Sequence, residues 1–398
     1  MSPLRIFSCL DVGKYCFLPD EKLSNTVTRH FFSSNCETTS EPMKPAPPVT
    51  NTRLFLRFIL NFSIVCLFYF LRILFYNSKI LKELNFDHYM ELDGKRILVT
   101  GGNGFLGKRV VKNLENSGVS NIFVPSSRDH DLRNVENCKK VLENIDVVFH
   151  LAAHVGGIGL NREKPGELFY DNLIMGTQLL HEAKIAGVEK FIALGTICSY
   201  PKFTQVPFLE ENIWEGYPEE TNAPYGLAKK MLLVQSKAYR EQYNFKSIVV
   251  IPTNLYGPND NFDPSSSHVI PALILKIFNA KKNDLKQIEV WGDGTPTRDF
   301  LFVDDAARGI VDAAKNYDDD VPLNLGSSEE ISISYLANQI CKILDYEGEI
   351  VWNESKPNGQ PRRCVSFDRA KGKINFEPKT SFNEGLKQTI DWFVNSHN

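Results

Sequence analysis

Five side chains that can move protons or bind a carbonyl lie in three short stretches of the sequence. Thr196 and Cys198 occur in LGTICSYPK, Tyr225 and Lys229 in APYGLAKK, and His268 in PTNLYGPNDNFDPSSSHVIPAL. The spacing of the tyrosine and the lysine places the phenol and the ammonium on one face of a helix. A neighbouring cation is expected to lower the pKa of the phenol, and the Thr196 hydroxyl can share its proton. The set predicts redox chemistry at a carbonyl, and the thiol and imidazole predict proton transfer on carbon.

A glycine-rich turn stands at the start of the part of the chain that must position these groups. A short buried strand is predicted over residues 96–100. Gly101, Gly104 and Gly107 follow at three-residue spacing, and an amphipathic helix starts at once. Glycines at such a turn let backbone N–H groups approach a pyrophosphate at the helix N-terminus. The turn therefore predicts a bound dinucleotide.

Strands and helices alternate after this turn. Strands are predicted over residues 121–125, 146–153 and 191–194, with a helix over 135–144. This alternation indicates an α/β fold, a Rossmann-type doubly wound parallel sheet with right-handed crossovers. The carboxyl ends of such strands line the ligand crevice, so Thr196 is expected to lie in it.

The end of the second predicted strand favours NADP over NAD. Ser127 and Arg128 occur there and can accept a 2′-phosphate, whereas Asp129 directly after them could bind the 2′-hydroxyl of NAD. We therefore expect NADP(H) as the cofactor. Asp131 and Leu132 are expected beside the adenine.

Length, charge and cysteine usage limit the classes of protein that remain. A chain of 398 residues favours two domains and an appendage. The formal net charge of -3 lacks the basic excess of a nucleic-acid-binding protein, so an anionic ligand must meet local positive charge. The eight cysteines show no metal-binding spacing. We predict no metal site, reduced thiols and a cytoplasmic location for the catalytic part.

We predict three regions with different roles. Residues 1–93 form an extension, residues 94–258 the dinucleotide-binding domain with the catalytic residues, and residues 259–398 mainly a smaller α/β substrate domain. The chain of this last domain is expected to cross back to the first. The extension is expected to be largely disordered, apart from a hydrophobic helix over residues 54–76.

The role of the hydrophobic segment 54–76 has several possible interpretations. Its length would let it cross a bilayer, but Arg57, Asn61 and Arg72 interrupt it. A membrane anchor, an interfacial helix, a targeting segment and a dispensable extension all fit. We expect the catalytic part to work without residues 1–92.

The motifs resemble a known superfamily. The glycine turn, Thr196 and the Tyr225/Lys229 pair resemble the extended short-chain dehydrogenases/reductases. The runs AAHVGGIGLN, LGTICSYPK, NAPYGLAKK, PTNLYGPNDNFDPSSSHVIPAL and WGDGTPTRDFLFVDD resemble, more narrowly, the GDP-L-fucose synthase family. The resemblance extends from about Lys95 to the C-terminus. It implies 3,5-epimerisation of GDP-4-keto-6-deoxy-D-mannose and then NADPH-dependent reduction at C4.

The resemblance also implies the role of each site residue. Thr196 stands where the family has serine, Tyr225 and Lys229 complete the reductase triad, and Cys198 and His268 form the epimerisation acid/base pair. Substrate contacts are implied for Lys276, Trp291, Arg298 and Arg363, although Lys276 stands where the family tends to have arginine. Contacts with the cofactor are expected from Gly101, Gly104, Phe105, Leu106, Gly107, Ser127, Arg128, Asp131, Leu132, Ala152, Ala153, Leu194, Gly195, Thr196, Tyr225, Lys229, Pro252, Thr253, Asn254, Leu255 and His268.

The helices predicted over residues 167–186 and 225–243 carry long apolar faces, and because related enzymes pair such helices across a two-fold axis, we expect a homodimer. Two points remain open at the level of sequence. Asn172 could serve the site or the packing of its helix. An NAD-dependent sugar-nucleotide 4-epimerase or dehydratase is the alternative enzyme. A catalytically inactive NADP-binding or membrane scaffold protein with the same fold is the alternative that is not an enzyme.

Overall fold

The computed structural model describes residues 89–356 and 358–397, and the predicted segment 54–76 lies outside them. No helix in this described part combines the length and the apolar character that crossing a membrane requires. In chain order the strands are β1 (Ile97–Thr100), β2 (Ile122–Phe123), β3 (Val147–His150), β4 (Lys190–Leu194), β5 (Ser247–Pro252), β6 (Asn254–Tyr256), β7 (Gln287–Trp291), β8 (Thr297–Phe302), β9 (Leu323–Leu325), β10 (Glu330–Ser332), β11 (Glu349–Asn353) and β12 (Arg362–Arg363). The α-helices are α1 (Phe105–Asn116), α2 (Val135–Val141), α3 (Ile158–Glu163), α4 (Pro165–Ile185), α5 (Ala223–Tyr243), α6 (Val269–Lys282), α7 (Val303–Asn316), α8 (Ile333–Leu344), α9 (Asp368–Ile374) and α10 (Phe382–His397).

A six-stranded parallel sheet lies at the centre, in the order β2-β1-β3-β4-β5-β9. Its inner strands are buried on both faces, as expected for a parallel sheet covered by helices. Side chains of β1 alternate between two cores: Ile97 and Val99 pack with α1 and α7, and Leu98 packs with α4 and α5. The predicted doubly wound parallel sheet is confirmed.

The order of the strands reverses at β1. Strand β2 pairs with one side of β1 and β3 with the other, so a crevice opens at the carboxyl ends of β1 and β3. The glycine turn follows β1, and residues 151–157 follow β3 as a loop. The crevice is therefore the place where this topology brings ligand-binding loops together.

A smaller lobe contains the remaining sheets. Strand β8 lies between β10 and β12 and also pairs with β6, and β7 pairs with β11. Apolar faces of α6, α8 and α10 form a third core with these strands. After β7 and β8 the chain returns to the six-stranded sheet through β9. The division at residue 258 stays a prediction.

Several elements end earlier than the sequence pattern predicts. The second strand has two residues, Ile122–Phe123, and α2 ends at Val141. Asn144 adopts a left-handed φ of 59°, which a helix cannot continue. Strand β3 ends at His150, because the next residues form the loop at the crevice.

Candidate active site

The turn between β1 and α1 is built on close backbone contacts. Gly101 has a φ of +72°, and a Cβ there would lie 2.8 Å from the backbone nitrogen of Ala152. A Cβ on Gly107 would lie 2.1 Å from the Gly101 carbonyl oxygen. Gly104 caps α1 without a side-chain hydrogen bond, so amides of the first turn are free to bind an anion.

A single cavity of about 1730 Å³ joins this turn to the smaller lobe. Single-ligand pockets measure roughly 300–1,000 Å³, so this cavity has room for a dinucleotide and a second ligand. Every predicted site residue lines it except Arg128 and Lys229. The structure thus brings the predicted cofactor and substrate residues to one place.

The catalytic turn after β4 is fixed against the start of α5. The Thr196 Oγ1 accepts a hydrogen bond of 3.2 Å from the Cys198 N–H, and the Ser199 Oγ donates one of 2.8 Å to the Gly226 carbonyl. A Cβ on Gly226 would lie 2.2 Å from the Cys198 carbonyl oxygen. This close approach fixes the turn that carries Thr196 and Cys198 against the helix that begins beside Tyr225, and all three residues line the cavity.

The expected lowering of the tyrosine pKa is wrong for this structure. Burial raises the pKa of Tyr225, the nearby Cys198 thiol adds to the rise, and the hydrogen bond with Thr196 lowers it only in part. Lys229 is buried too, and burial lowers the pKa of its ammonium to about 8. The loss of water therefore determines the direction of the shift in the phenol pKa.

The thiol of Cys198 faces a guanidinium from a distant part of the chain. Arg363 Nη1 lies 3.7 Å from Cys198 Sγ, and its Nε donates to Gln360 at 3.2 Å. The resemblance implied a substrate contact for Arg363, and the structure also puts this arginine beside the Cys198 thiol.

The imidazole of His268 forms part of the cavity wall near the same cations. His268 is the N-cap residue of α6, and burial together with the charge of Arg363 lowers the pKa of its ring. A neutral imidazole is therefore the favoured form at neutral pH. It can accept a proton there without first losing one.

The smaller lobe supplies the other predicted substrate residues. Arg298 donates through Nη1 to the carbonyls of Thr297 and Gln360, and burial lowers the pKa of its guanidinium. The Lys276 ammonium donates to the Glu289 carbonyl at 2.8 Å. Trp291 is 49% exposed, so one face of its indole is free to contact a ligand.

The cofactor end of the cavity contains basic residues that sequence reasoning missed. Arg128 does not line the cavity, whereas His130 and Arg133 do. Arg133 forms a two-pronged ion pair with Asp131, at 2.7 Å for the shortest contact. A basic residue within six positions of Ser127 was the available signal, but spacing alone did not show which arginine turns inward.

Three more polar residues in the cavity wall were missed. Asn161, Asp260 and Ser267 line it, and each has one buried side-chain oxygen without a partner in the described part of the chain. Burial raises the pKa of Asp260 to about 7. All three belong to the sequence runs that carry the family resemblance, which was the signal that could have found them.

Asn172 holds a loop in place. Its amide nitrogen donates to the carbonyls of His154 and Leu168 at 2.8 and 2.7 Å, and its oxygen accepts the His154 N–H at 3.1 Å. The side chain is buried and does not line the cavity. Of the two readings of Asn172, these contacts favour packing.

Comparison with known proteins places this site in a family. The NAD dependent epimerase/dehydratase family matches residues 97–326. The GDP-L-fucose synthase of Sinorhizobium fredii is 40% identical over 307 residues, which cover 77% of this chain and 97% of that protein. The chain belongs to the GDP-L-fucose synthase family.

Other members of the GDP-L-fucose synthase family match this chain over a similar length and share its fold. The Escherichia coli GDP-L-fucose synthase is 34% identical over 314 residues, 75% of this chain and 97% of that protein. A crystal structure of a GDP-L-fucose synthetase from Naegleria fowleri bound to NADP has a TM-score of 0.72 and 33% identity. It covers 78% of this chain and 96% of its own.

Proposed function

We propose that this protein makes GDP-L-fucose from GDP-4-keto-6-deoxy-D-mannose by inverting C3 and C5 and then reducing C4. The observation that carries the proposal is the single cavity lined by the glycine turn, Thr196, Tyr225, Cys198 and His268. A hydroxyl/phenol pair and a thiol/imidazole pair in one site fit a reaction with both a reduction and two proton exchanges. The named relatives support the same substrate.

The residues of the turn fit NADP(H). The close contacts at Gly101 and Gly107 leave no room for side chains between α1 and the sheet, so backbone amides can reach a pyrophosphate. Ser127 and Arg133 line the far end of the cavity, where a hydroxyl and a cation suit a 2′-phosphate. When bound, NADPH supplies the hydride for C4.

Epimerisation needs one group to take a proton and another to return one on the opposite face. The C4 ketone of the substrate makes the protons on C3 and C5 acidic, because their removal leaves an enolate. Cys198 and His268 lie in the wall of the same cavity, and Arg363 Nη1 lies 3.7 Å from the Cys198 sulfur. We assign these two residues as the acid/base pair for both carbons.

Reduction needs a proton at the C4 oxygen. The Tyr225 phenol is the donor, and its raised pKa keeps it protonated until the oxygen gains charge. We assign to Thr196, which lines the same cavity, the role of orienting the phenol and sharing its proton. We assign to Lys229, one helical turn away on α5, the stabilisation of the resulting phenolate.

We assign the substrate nucleotide to the smaller lobe, mainly residues 259–398. Arg298 and Lys276 line that end of the cavity and carry the positive charge that a diphosphate needs. Trp291 offers an exposed indole face to a base or sugar. These contacts support a GDP-sugar as the second ligand of the cavity.

We also propose a homodimer formed by α4 and α5. Both helices expose large apolar side chains, among them Phe169, Tyr170, Val234 and Tyr243. Exposed large apolar side chains on two neighbouring helices support an interface between two copies of the chain. A dimeric mass in solution is expected, and a monomer at micromolar concentration would contradict the proposal.

We propose that the catalytic part works in the cytoplasm, and that residues 54–76 decide whether it associates with a membrane. Cys138, Cys198, Cys341 and Cys364 are free thiols in the described part of the chain, which fits a reducing compartment. Cell fractionation of the full chain and of a variant without residues 54–76 tests the second point. An unchanged distribution would exclude this segment as the anchor.

The deciding experiment is NADPH oxidation by the purified protein with GDP-4-keto-6-deoxymannose as substrate. Oxidation that yields GDP-L-fucose is the expected result. Solvent deuterium entering C3 and C5 without oxidation would confine the failure to the reduction step. Release of tightly bound NAD on denaturation, with no NADPH consumed, would instead favour a 4-epimerase or dehydratase.

A further inference from the structure

Two loops of the cavity wall meet backbone to backbone directly before His268. The Gly157 N–H, in the loop after β3, donates a hydrogen bond of 2.9 Å to the Ser266 carbonyl. A Cβ on Gly157 would lie 2.3 Å from the Ser267 carbonyl oxygen. Only a residue without a side chain allows this approach, and the next residue in the chain is the imidazole of the site.

The position of the His268 side chain depends mainly on the backbone that carries it. Its ring makes no hydrogen bond to another residue described by the structure, so its position follows from the backbone that carries it. Ser266 and Ser267 both donate backbone hydrogen bonds to the Asp263 carbonyl, at 3.1 and 2.8 Å. These bonds fold the segment on one side, and Gly157 contacts it on the other.

Asn161 fixes the loop that carries Gly157. Its Nδ2 donates to the carbonyls of Gly156 and Gly157 at 2.9 and 3.0 Å, and the side chain is buried. Both backbone groups of Gly157 are thereby held, the N–H by Ser266 and the carbonyl by Asn161. A shift of the glycine loop must therefore also shift the segment before His268.

We infer that Gly157 is a positioning residue for the acid/base His268, acting through its backbone contact with Ser266 and Ser267. The inference rests on the proposed function, since epimerisation gives His268 its role. The contact links the cofactor lobe to the first residue of α6. It aligns the imidazole with the carbon whose proton it exchanges.

Two glycines of one loop provide a matched test. Gly157 has φ -68° and ψ -177°, values that alanine adopts freely, so Gly157→Ala changes only the contact. Gly159→Ala is the control, because its Cβ would lie at an ordinary 3.6 Å from the Ser265 carbonyl. Displacing a catalytic group by about 1 Å costs roughly 100-fold, so Gly157→Ala is expected to slow deuterium entry at C3 and C5 by about 10- to 100-fold.

Other readouts separate positioning from damage to the fold. NADPH affinity of Gly157→Ala is expected to match that of Gly159→Ala, whereas its melting temperature is expected to be lower, because its Cβ would lie 2.3 Å from the Ser267 carbonyl oxygen. Asn161→Asp is a second variant: it removes the amide donors to Gly156 and Gly157 and is expected to slow deuterium entry in the same selective way. Equal deuterium entry in Gly157→Ala and Gly159→Ala would overturn the inference.

Amide hydrogen exchange measured on the full chain needs no substrate. Faster exchange at residues 266–268 in Gly157→Ala than in Gly159→Ala is expected, because the contact that protects this segment is lost. If the wild-type protein brings no solvent deuterium into the substrate, the proposed function is refuted. The amide exchange rates would then still test whether Gly157 holds the segment before His268 in place. Equal amide exchange rates at residues 266–268 in Gly157→Ala and Gly159→Ala would overturn the inference.

Discussion

Lys229→Met is expected to stabilise the protein near neutral pH while it removes the reductase activity. Lys229 is 2% exposed, and no hydrogen bond joins its Nζ to other residues in the described ranges. Methionine has a similar shape and carries no charge. The variant therefore removes the free-energy cost of burying an unpaired ammonium.

The size of this cost follows from the pKa. Burial lowers the pKa of Lys229 from its ordinary 10.5 to about 8, which corresponds to roughly 3 kcal/mol. Below pH 8 the amine is charged in the folded and in the unfolded chain, so the whole cost is present. As the pH rises from 8 to 10.5, the folded chain loses this proton first and the cost disappears. The gain from Lys229→Met is thus expected at pH 7 and lost by about pH 10.

Lys190→Met is the matched control. Burial also lowers the pKa of Lys190 to about 8, but its Nζ donates to the carbonyls of Ala314 and Tyr317 at 2.7 and 2.6 Å. Methionine there removes the same cost of burying a charge, but it leaves two buried carbonyls without a donor, at about 1–3 kcal/mol each. Lys190→Met is therefore expected to show little or none of the gain in stability that Lys229→Met shows.

The assay is urea unfolding of both variants and wild type at pH 7 and pH 10, without nucleotide. The expected result at pH 7 is a higher free energy of unfolding for Lys229→Met than for wild type, and a clearly lower one for Lys190→Met than for Lys229→Met. Equal loss of stability in both variants would refute the reasoning, because burial of charge would then not decide the effect. A gain from Lys229→Met that stays constant with pH would refute the assigned cause.

Three further predictions test the site and its boundaries. Cys198→Ser is expected to stop deuterium entry at C3 and C5, while hydride transfer to a correctly epimerised ketone continues; equal loss of both steps would contradict the division of roles. Gly107→Ala is expected to weaken NADPH binding and to destabilise the fold by about 1–3 kcal/mol, because its Cβ would lie 2.1 Å from the Gly101 oxygen; binding titrations and urea unfolding measure both, and Gly166→Ala, which meets nothing within 4 Å, is the control. Deletion of residues 1–92 is expected to leave soluble activity, and an inactive product would refute this.

Local signals in the sequence predicted the elements that hold the cofactor and the tyrosine. The glycine spacing after β1 and the four-residue spacing on α5 depend on turn and helix geometry, which few residues determine. The strand–helix alternation predicted the parallel sheet for the same reason. These features can be predicted without knowing which distant segments of the chain come into contact.

Contacts between distant segments could not be predicted in this way. Arg363 lies beside Cys198 only because β12 pairs with β8 and brings its arginine to the cavity. The pKa of Tyr225 is raised mainly by burial, which depends on residues from the whole site. Arg133 lines the cavity and Arg128 does not. Which of the two does so depends on the path of the loop after the two-residue strand β2, and the sequence does not determine that path.

The late return of the chain through β9 has a consequence for synthesis on the ribosome. Until residues 323–325 emerge, β5 forms the outer strand of the central sheet, with unpaired N–H and C=O groups on one side. The nucleotide-binding half is thus unfinished while the whole of α6, β7, β8 and α7 is being made. The nascent chain passes through a stage with an exposed sheet edge, which is where chaperone binding or aggregation is expected to occur.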